Sequence, residues 1–270
     1  MLVIIMSGPL HLLTNEQRRM EMKALSTIAF ALTLSGPAAF AGTEPALERA
    51  APGLAAYDAN VVEGDLWQRE GLSPRDRSIV SVAALIAAGK TELQPREFAR
   101  ALDNGVTPAE LSGIITHLAF YAGWNNGVAA ARNAAVLYDA RGIAAESLPG
   151  ADVELLPLDR ETEDTRQARV QATHGRTSQG VVDFTRAPVF LDLWQRPDLA
   201  PRDRSLVTVS ALVANGQSAQ VPFHLDRAMT NGLTRAEASE ALTQLAFYAN
   251  WPNVFSAMPV FQEVFASREQ

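Results

Sequence analysis

The chain has 270 residues, of which 47% are hydrophobic and 20% charged, with a formal net charge of -7 and no cysteine. These proportions are typical of a globular protein that is long enough to bury a substantial core. The negative charge argues against nucleic-acid binding, which needs a basic surface, and the lack of cysteine excludes disulfides and thiolate chemistry.

The N-terminal segment has the pattern of a secretory signal peptide. Lys23 precedes a short apolar run, and an Ala-x-Ala tripeptide ending at Ala41 follows. This order is typical of export signals, and the run is too short to span a bilayer. We therefore predict a leader over residues 1–41 and a periplasmic or secreted protein, with translation starting at Met20 or Met22. The alternative is that the apolar run is a buried helix.

The rest of the chain contains one segment twice. Each motif of the first copy returns 127 positions later, so that Asp65 corresponds to Asp192 (192 − 65 = 127). The two copies align without a gap from about residue 65 to about residue 141. A period this long marks a duplicated domain rather than a solenoid. The repeated motifs are Asp65-Leu-Trp-Gln-Arg69 and Asp192–Arg196, Pro74-Arg-Asp-Arg-Ser78 and Pro201–Ser205, and Leu118-Ala-Phe-Tyr-Ala122 and Leu245–Ala249.

Helical spacing and capping residues predict only helices. Ser73 and Pro74 are typical of an N-cap and a first helical position, and Gly89 of a C-terminal stop. Thr107 with Glu110 forms a capping box that begins another helix. No segment alternates with the period of two that strands require, so the predicted fold class is all-α. The helices of the first repeat are predicted over about residues 54–69, 74–88, 95–102, 107–122 and 126–141.

The second repeat follows the same plan, with Thr234 and Glu237 as the equivalent capping box and a lead-in helix over residues 181–195. The segment between the repeats is polar and contains several glycines, which is typical of a linker. We predict two tandem helical repeats that pack as a pseudo-dimer. The predicted divisions are 1–41 for the leader and signal peptide, 52–142 for the first repeat, 143–180 for the linker and 181–270 for the second repeat.

The repeated segments resemble the carboxymuconolactone decarboxylase and alkylhydroperoxidase-like family. This resemblance implies an all-helical fold that self-associates as a ring. Single-domain members form hexamers, so a trimer of two-repeat chains is implied here. The matching segments are residues 72–77, 101–110 and 115–124 in the first repeat and 200–204, His224, 231–237 and 242–251 in the second.

Peroxidase members of this family carry Cys-x-x-Cys-x-x-x-His. The histidine position of that motif is Glu97 in the first repeat and His224 in the second, while Lys90 and Leu93 stand at the cysteine positions of the first repeat. Two glutamines stand at those of the second, so the peroxidase mechanism is excluded. Decarboxylase-type members lack the cysteines and keep the histidine, which matches His224.

The two repeats differ at two positions that matter for chemistry. Glu97 is equivalent to His224, and His117 is equivalent to Gln244. We predict that residues 97 and 117 lie on neighbouring antiparallel helices and converge in one pocket, where histidine beside a carboxylate is a tuned acid or base. His117 with Glu97, or His224 with Gln244, would then protonate the product of decarboxylation without metal or cofactor. Alternatively, either histidine is a buried, hydrogen-bonded helix residue; if one site works, we favour His224.

Two further groups of side chains are candidates for substrate binding. Arginine at a helix N-terminus opposes the helix dipole and can instead bind carboxylates, although a salt-bridge set or a subunit contact is the alternative. The candidate arginines are Arg75, Arg77, Arg202 and Arg204. Aromatic side chains near the end of the third helix are either substrate contacts or core and interface residues. These are Tyr121, Trp124, Tyr248 and Trp251.

These features together predict an exported, cofactor-independent lyase or isomerase acting on a small carboxylated lactone or organic acid. The resemblance implies 4-carboxymuconolactone as the substrate. No histidine spacing indicates a metal site. The alternative is a non-catalytic oligomeric binding or scaffold protein of the same fold. A third possibility, an antioxidant peroxidase, is opposed by the missing cysteines.

Overall fold

The computed structural model describes residues 45–269, which contain α-helices, short 3-10 and π-helical turns and no β-strand. The predicted all-α fold class is confirmed. The predicted signal peptide lies outside the described residues. The helices are α1 (Pro45–Ala50), α2 (Pro52–Tyr57), α3 (Pro74–Ala87), α4 (Gln94–Asp103), α5 (Pro108–Tyr121), α6 (Trp124–Arg141), α7 (Arg160–His174), α8 (Gln179–Phe184), α9 (Pro201–Ala214), α10 (Val221–Thr230), α11 (Arg235–Tyr248) and α12 (Trp251–Arg268).

The predicted helix ends are confirmed in their capping contacts. The Ser73 hydroxyl accepts a hydrogen bond from the Asp76 amide, and Thr107 and Thr234 each form a complete capping box. Gly89 follows α3 with a φ of 65°, a backbone conformation that glycine adopts without strain. Helices α3–α6 and α9–α12 are therefore two copies of one four-helix unit.

The two predicted lead-in helices are wrong, because each is broken. After α2 the chain forms a π-helical turn over Asp58–Glu63 and a 3-10 turn over Leu66–Gln68. After α8 it repeats this pattern over Thr185–Phe190 and Leu193–Gln195. Six residues are too few for apolar spacing to separate a π-helical turn from an α-helix. In each repeat the 3-10 turn buries a leucine and a tryptophan.

Helices α3 and α9 form the centre of the protein. Every residue of α3 from Asp76 to Ala87, and every residue of α9 from Asp203 to Ala214, is buried. A helix that is buried all round must be covered by neighbours on every side. The two helices pack against each other, and each also packs against the third helix of the opposite repeat, α3 on α11 and α9 on α5. The repeats thus share one core.

Crossed ion pairs join the N-termini of the two central helices. Arg75 Nη2 lies 2.7 Å from Asp203 Oδ2, and Arg202 Nη2 lies 2.8 Å from Asp76 Oδ2. Each arginine also binds the capping-box glutamate of its own repeat. Arg75 and Arg202, predicted as substrate-binding candidates, are thus placed in the salt-bridge set that was the alternative.

Within residues 45–269, none of the helices has the length and hydrophobicity of a transmembrane segment.

Breaking one crossed pair should destabilise the whole protein. We expect Arg202→Met to lower the free energy of unfolding by about 3 kcal/mol, because it leaves the buried Asp76 carboxylate without its partner across the repeats. Guanidinium denaturation followed by circular dichroism measures this. Arg176→Met, at an exposed arginine, is the matched control. Equal stability of the two variants would contradict a central role for the crossed pairs.

Candidate active site

Two clusters of polar and aromatic side chains lie where the repeats meet. Each takes a tryptophan and two residues of the second helix from one repeat, and residues of the third helix from the other. We call them the histidine cluster and the glutamate cluster. The histidine cluster contains Trp194, His224 and Arg227 with His117 and Tyr121. The glutamate cluster contains Trp67, Glu97 and Arg100 with Tyr248, and Gln244 lies one helical turn before Tyr248.

The predicted pairing of these residues within each repeat is wrong. His117 does not share a cluster with Glu97; it lies with His224, and the two histidines share Tyr121 and Trp194 as neighbours. Glu97 lies beside Tyr248 of the second repeat. The physical reason is that each central helix packs against the third helix of the opposite repeat, so every cluster combines both halves of the chain.

His117 is a fully buried side chain with hydrogen-bond partners. Its Nε2 lies 2.7 Å from the Thr208 hydroxyl, and its Nδ1 lies 3.4 Å from Arg204 Nη1. The ring stacks on Tyr121 with 4.7 Å between centroids. Burial lowers the pKa of His117 well below its usual range, and the nearby Arg204 lowers it further. His117 therefore fits the structural alternative, with a neutral imidazole that positions its neighbours.

His224 is also buried but lacks such partners. Its Nδ1 has no hydrogen-bond partner among the described residues. The ring stacks on Trp194 at 5.9 Å and meets the edge of Tyr121 at 5.4 Å. Burial and the charge of Arg227 lower the pKa of His224 to about 4. The imidazole is thus neutral at neutral pH, and its Nδ1, which has no partner within residues 45–269, can accept a proton.

Arg227 is the functional candidate that the sequence analysis missed. Its guanidinium lies 4.3 Å from the Trp194 ring centre, and its Nε has no hydrogen-bond partner in the part of the chain that the structure describes. Among residues 45–269 it forms no ion pair. Helix α7 brings Glu163 and Arg166 close to it, but these two are bonded to each other and their charges offset. Arg227 is therefore a partly buried cation without a carboxylate.

The glutamate cluster has the same frame with a different content. Arg100 lies 4.3 Å from the Trp67 ring, as Arg227 does from Trp194. Its Nη2, however, lies 2.6 Å from the Glu63 carboxylate. The Glu97 carboxyl oxygens lie 3.7 Å from the side chains of Arg96 and Arg100, and burial raises the pKa of Glu97. The arginine of this cluster is neutralised inside the chain.

The clusters also share a hydrogen bond from tryptophan to tyrosine. Trp67 Nε1 donates to the Tyr248 hydroxyl at 3.0 Å, and Trp194 Nε1 donates to the Tyr121 hydroxyl at 2.8 Å. Burial raises the pKa of Tyr121 to about 12, so its phenol stays protonated at neutral pH. Both tyrosines predicted as candidates thus lie in the clusters.

The candidate arginines Arg77 and Arg204 lie behind the clusters and are almost wholly buried. Arg77 donates to Gln244 at 3.1 Å, and Arg204 contacts His117 at the equivalent place. Each is also paired with a carboxylate at 2.9 Å, Arg77 with Glu240 and Arg204 with Asp198. They hold the third helix of the opposite repeat in place and, at 0% and 1% exposed, are closed off from a substrate in solution.

The two carboxylates come from different places in the two repeats. Glu240 lies on the third helix, where the first repeat has Gly113. Asp198 lies in the loop before the central helix, where the first repeat has Gly71. A Cβ added at Gly113 would lie 3.1 Å from Asp198 Cγ, so the glycine leaves the space that the aspartate fills. Both repeats therefore keep a buried arginine–carboxylate pair by different residues.

The remaining candidates, Trp124 and Trp251, lie away from both clusters and are 63% and 55% exposed. Trp251, with Phe247 and Phe255, lines an apolar groove of about 700 Å³ between α11 and α12. Within residues 45–269, no group of three or more histidine, aspartate and glutamate side chains is arranged to hold a metal ion.

Comparison with known proteins identifies similar sequences. The profile of the carboxymuconolactone decarboxylase family matches residues 52–136 and 182–263. The chain is 36% identical over 74 residues to 4-carboxymuconolactone decarboxylase of Acinetobacter baylyi, which is 27% of this chain and 55% of that protein. It is 34% identical over 71 residues to nitrosuccinic acid decarboxylase of Metarhizium robertsii, which is 26% of this chain and 50% of that protein. The chain thus spans about half the length of each relative.

The two buried histidines should make stability depend on pH. An unfolded histidine binds a proton near pH 6.5, whereas His224 in the folded protein does so only near pH 4. Acidification therefore favours the unfolded state, and each histidine should remove about 1.4 kcal/mol of stability per pH unit below pH 6.5. Denaturant titrations from pH 7 to pH 5 measure this slope.

We expect His117→Gln to reduce the slope, since glutamine stands at the equivalent position in the second repeat. His174→Gln, at an exposed histidine, is the matched control and should leave the slope unchanged. A slope that is equal in the wild-type protein and in His117→Gln would show that His117 is not held neutral by burial.

Proposed function

The chain belongs to the carboxymuconolactone decarboxylase family, and on that basis we propose that it is a cofactor-independent carboxy-lyase whose working site is the histidine cluster. The substrate is a small carboxylated lactone or organic acid, with 4-carboxymuconolactone as the specific candidate. The observation that carries this proposal is the unpaired Arg227 guanidinium in the same cluster as the neutral, unpartnered His224.

Arg227 provides the binding half of the site. A guanidinium that is partly withdrawn from water and lacks an internal carboxylate binds an external one strongly and in a fixed orientation. A substrate with two carboxylates would place on Arg227 the one that stays in the product. The carboxylate that leaves would then lie against the aromatic rings of Trp194 and Tyr121. Its charge is poorly solvated there, which favours its departure as carbon dioxide.

His224 provides the proton. Loss of carbon dioxide leaves the electron pair of the broken bond on carbon, as a carbanion or enolate, and a proton from solvent must reach it. A neutral imidazole can relay that proton, because one ring nitrogen donates while the other accepts. The protonated Tyr121 hydroxyl, beside His224, can donate a hydrogen bond to the developing oxyanion.

The competing proposal is a non-catalytic assembly protein, and the exposed apolar groove favours some assembly in either case. Trp251 and Phe255 are more than half exposed, and Trp124 in the first repeat is exposed at the equivalent position. Exposed aromatic patches of this kind mark protein contacts. We propose that chains associate with one another through these faces, as a trimer, so that assembly and catalysis occur in the same protein.

Substitutions in the two clusters should separate enzyme from scaffold. We expect His224→Gln and Arg227→Gln each to lower kcat/KM for 4-carboxymuconolactone at least about 100-fold, because one removes the proton relay and the other the carboxylate contact. Glu97→Gln, at the position equivalent to His224, is the matched control and should retain activity. Loss of ultraviolet absorbance and release of carbon dioxide measure turnover.

Two outcomes would contradict this proposal. Full activity in both histidine-cluster variants, with loss in Glu97→Gln, would move the reaction to the glutamate cluster. No turnover of this substrate or of related carboxylated lactones by a folded wild-type oligomer would favour the scaffold.

We also propose that the protein is exported and cleaved after Ala41. The support is the basic, apolar and Ala-x-Ala pattern of residues 1–41. N-terminal sequencing of protein recovered from outside the cytoplasm should begin at Gly42, and changing Ala39 and Ala41 to bulky residues should retain the precursor. A mature chain that still contains the residues before Ala41 would reject export by this route.

A further inference from the structure

The duplication allows the two clusters to be compared residue by residue. The position of Glu63 in the first repeat is that of Phe190 in the second, and Arg96 is likewise replaced by Phe223. The equivalent positions 100 and 227, in contrast, are both arginine, and each guanidinium lies 4.3 Å from the ring of the equivalent tryptophan, Trp67 or Trp194. The arginine is therefore kept in both clusters, while the carboxylate that neutralises it is present in only one.

Glu63 is held firmly on the arginines of its cluster. Its Oε1 lies 2.6 Å from Arg100 Nη2 and 2.7 Å from Arg96 Nη2. It reaches them from the π-helical turn over Asp58–Glu63, and the second repeat has an equivalent turn that ends at Phe190. In the second repeat this position presents an aromatic ring, which lies 5.7 Å from the Arg227 guanidinium and makes no hydrogen bond.

We infer that the Glu63 carboxylate occupies, in the glutamate cluster, the place that a ligand carboxylate takes on Arg227 in the histidine cluster. The first repeat thus contains a second carboxylate-binding site, which the chain itself keeps closed. The inference rests on the proposed function, because it compares the closed site with the carboxylate site proposed at Arg227 in the histidine cluster. It assigns Arg100 and Arg96 as the binding residues of the closed site and small carboxylates as its ligand class.

The charges of the glutamate cluster agree with this assignment. With Glu63 in place, its charge is shared between Arg96 and Arg100, and the buried Glu97 carboxyl is kept at 3.7 Å from each. Removing Glu63 leaves two arginines facing one another beside Glu97. The two arginines then share a single carboxyl group, and a small carboxylate from solution can take the place that Glu63 left. The Glu63 side chain is about one-third exposed, so its position is open to solvent.

Each cluster contains its own fluorescent reporter for a direct test. Trp67 lies under Arg100 and Trp194 under Arg227, so a carboxylate that binds an arginine changes the emission of its tryptophan. In a background with Trp124, Trp194 and Trp251 all changed to phenylalanine, we expect succinate to produce a saturable change in Trp67 emission after Glu63→Ala and none when Glu63 is present. Glu70→Ala, at an exposed glutamate close in sequence, is the matched control.

A second variant covers the case in which Glu97 moves onto the vacated arginines. Glu63→Ala combined with Glu97→Gln removes both carboxyl groups, and circular dichroism checks that the fold is retained. A saturable Trp67 response in either folded variant supports the inference. Absence of a response in both, or the same response with Glu63 intact, would overturn it.

The reverse substitution tests the same idea in the histidine cluster. In a background with Trp67, Trp124 and Trp251 all changed to phenylalanine, Phe190→Glu should abolish the succinate response of Trp194, because the new carboxylate closes the site from within. Phe190→Gln introduces a side chain of the same size as glutamate but without its charge, and it should keep the response. Equal responses in the two variants would overturn the inference. If unmodified Phe190 protein gives no Trp194 response, the proposed function fails, while the Trp67 experiment still decides the inference by itself.

Discussion

The crossed ion pairs between the first turns of α3 and α9 are the constraint on which the rest of the structure depends. Arg75 with Asp203 and Arg202 with Asp76 place the two central helices side by side at a fixed register. With that register set, each central helix must be covered by the third helix of the opposite repeat, because all of its faces are apolar or internally bonded. The same contact offsets the unfavourable position of two arginines at helix N-termini.

This crossing explains why both clusters are made from two repeats. His117 meets His224, and Tyr248 meets Glu97, because each third helix packs against the central helix of the opposite repeat as well as that of its own. A duplicated domain that folded as two independent units would have no such clusters. The two clusters differ in content: one has neutral histidines and an arginine without an ion pair within residues 45–269, and the other has Glu97, Arg96 and Glu63. The buried pairs of Arg77 with Glu240 and Arg204 with Asp198 show that the supporting carboxylates also differ between the repeats, while each repeat has such a pair.

Much of the fold follows from local sequence, and the site does not. The capping boxes at Thr107 and Thr234 and the stop at Gly89 depend on neighbouring residues, so the sequence predicts them. The packing of each third helix against the opposite repeat depends on contacts between residues that are 87 to 167 positions apart. Identical motifs such as Leu118–Ala122 and Leu245–Ala249 cannot show which parts of the chain they will meet. Arg227 was missed for a related reason. Arginine stands at this position in both repeats. Whether it is paired inside the chain depends on a distant residue, which is a glutamate at position 63 and a phenylalanine at the equivalent position 190.

The most direct test of a single open site per chain is a crystal structure of the wild-type protein soaked with a non-reactive dicarboxylate. We expect one carboxylate of that ligand on Arg227, beside His224 and against Trp194. We expect the Arg100 guanidinium to remain bonded to Glu63 in the same crystal. A ligand bound at Arg100 with Arg227 empty, or bound equally at both, would contradict the assignment of the histidine cluster as the open site.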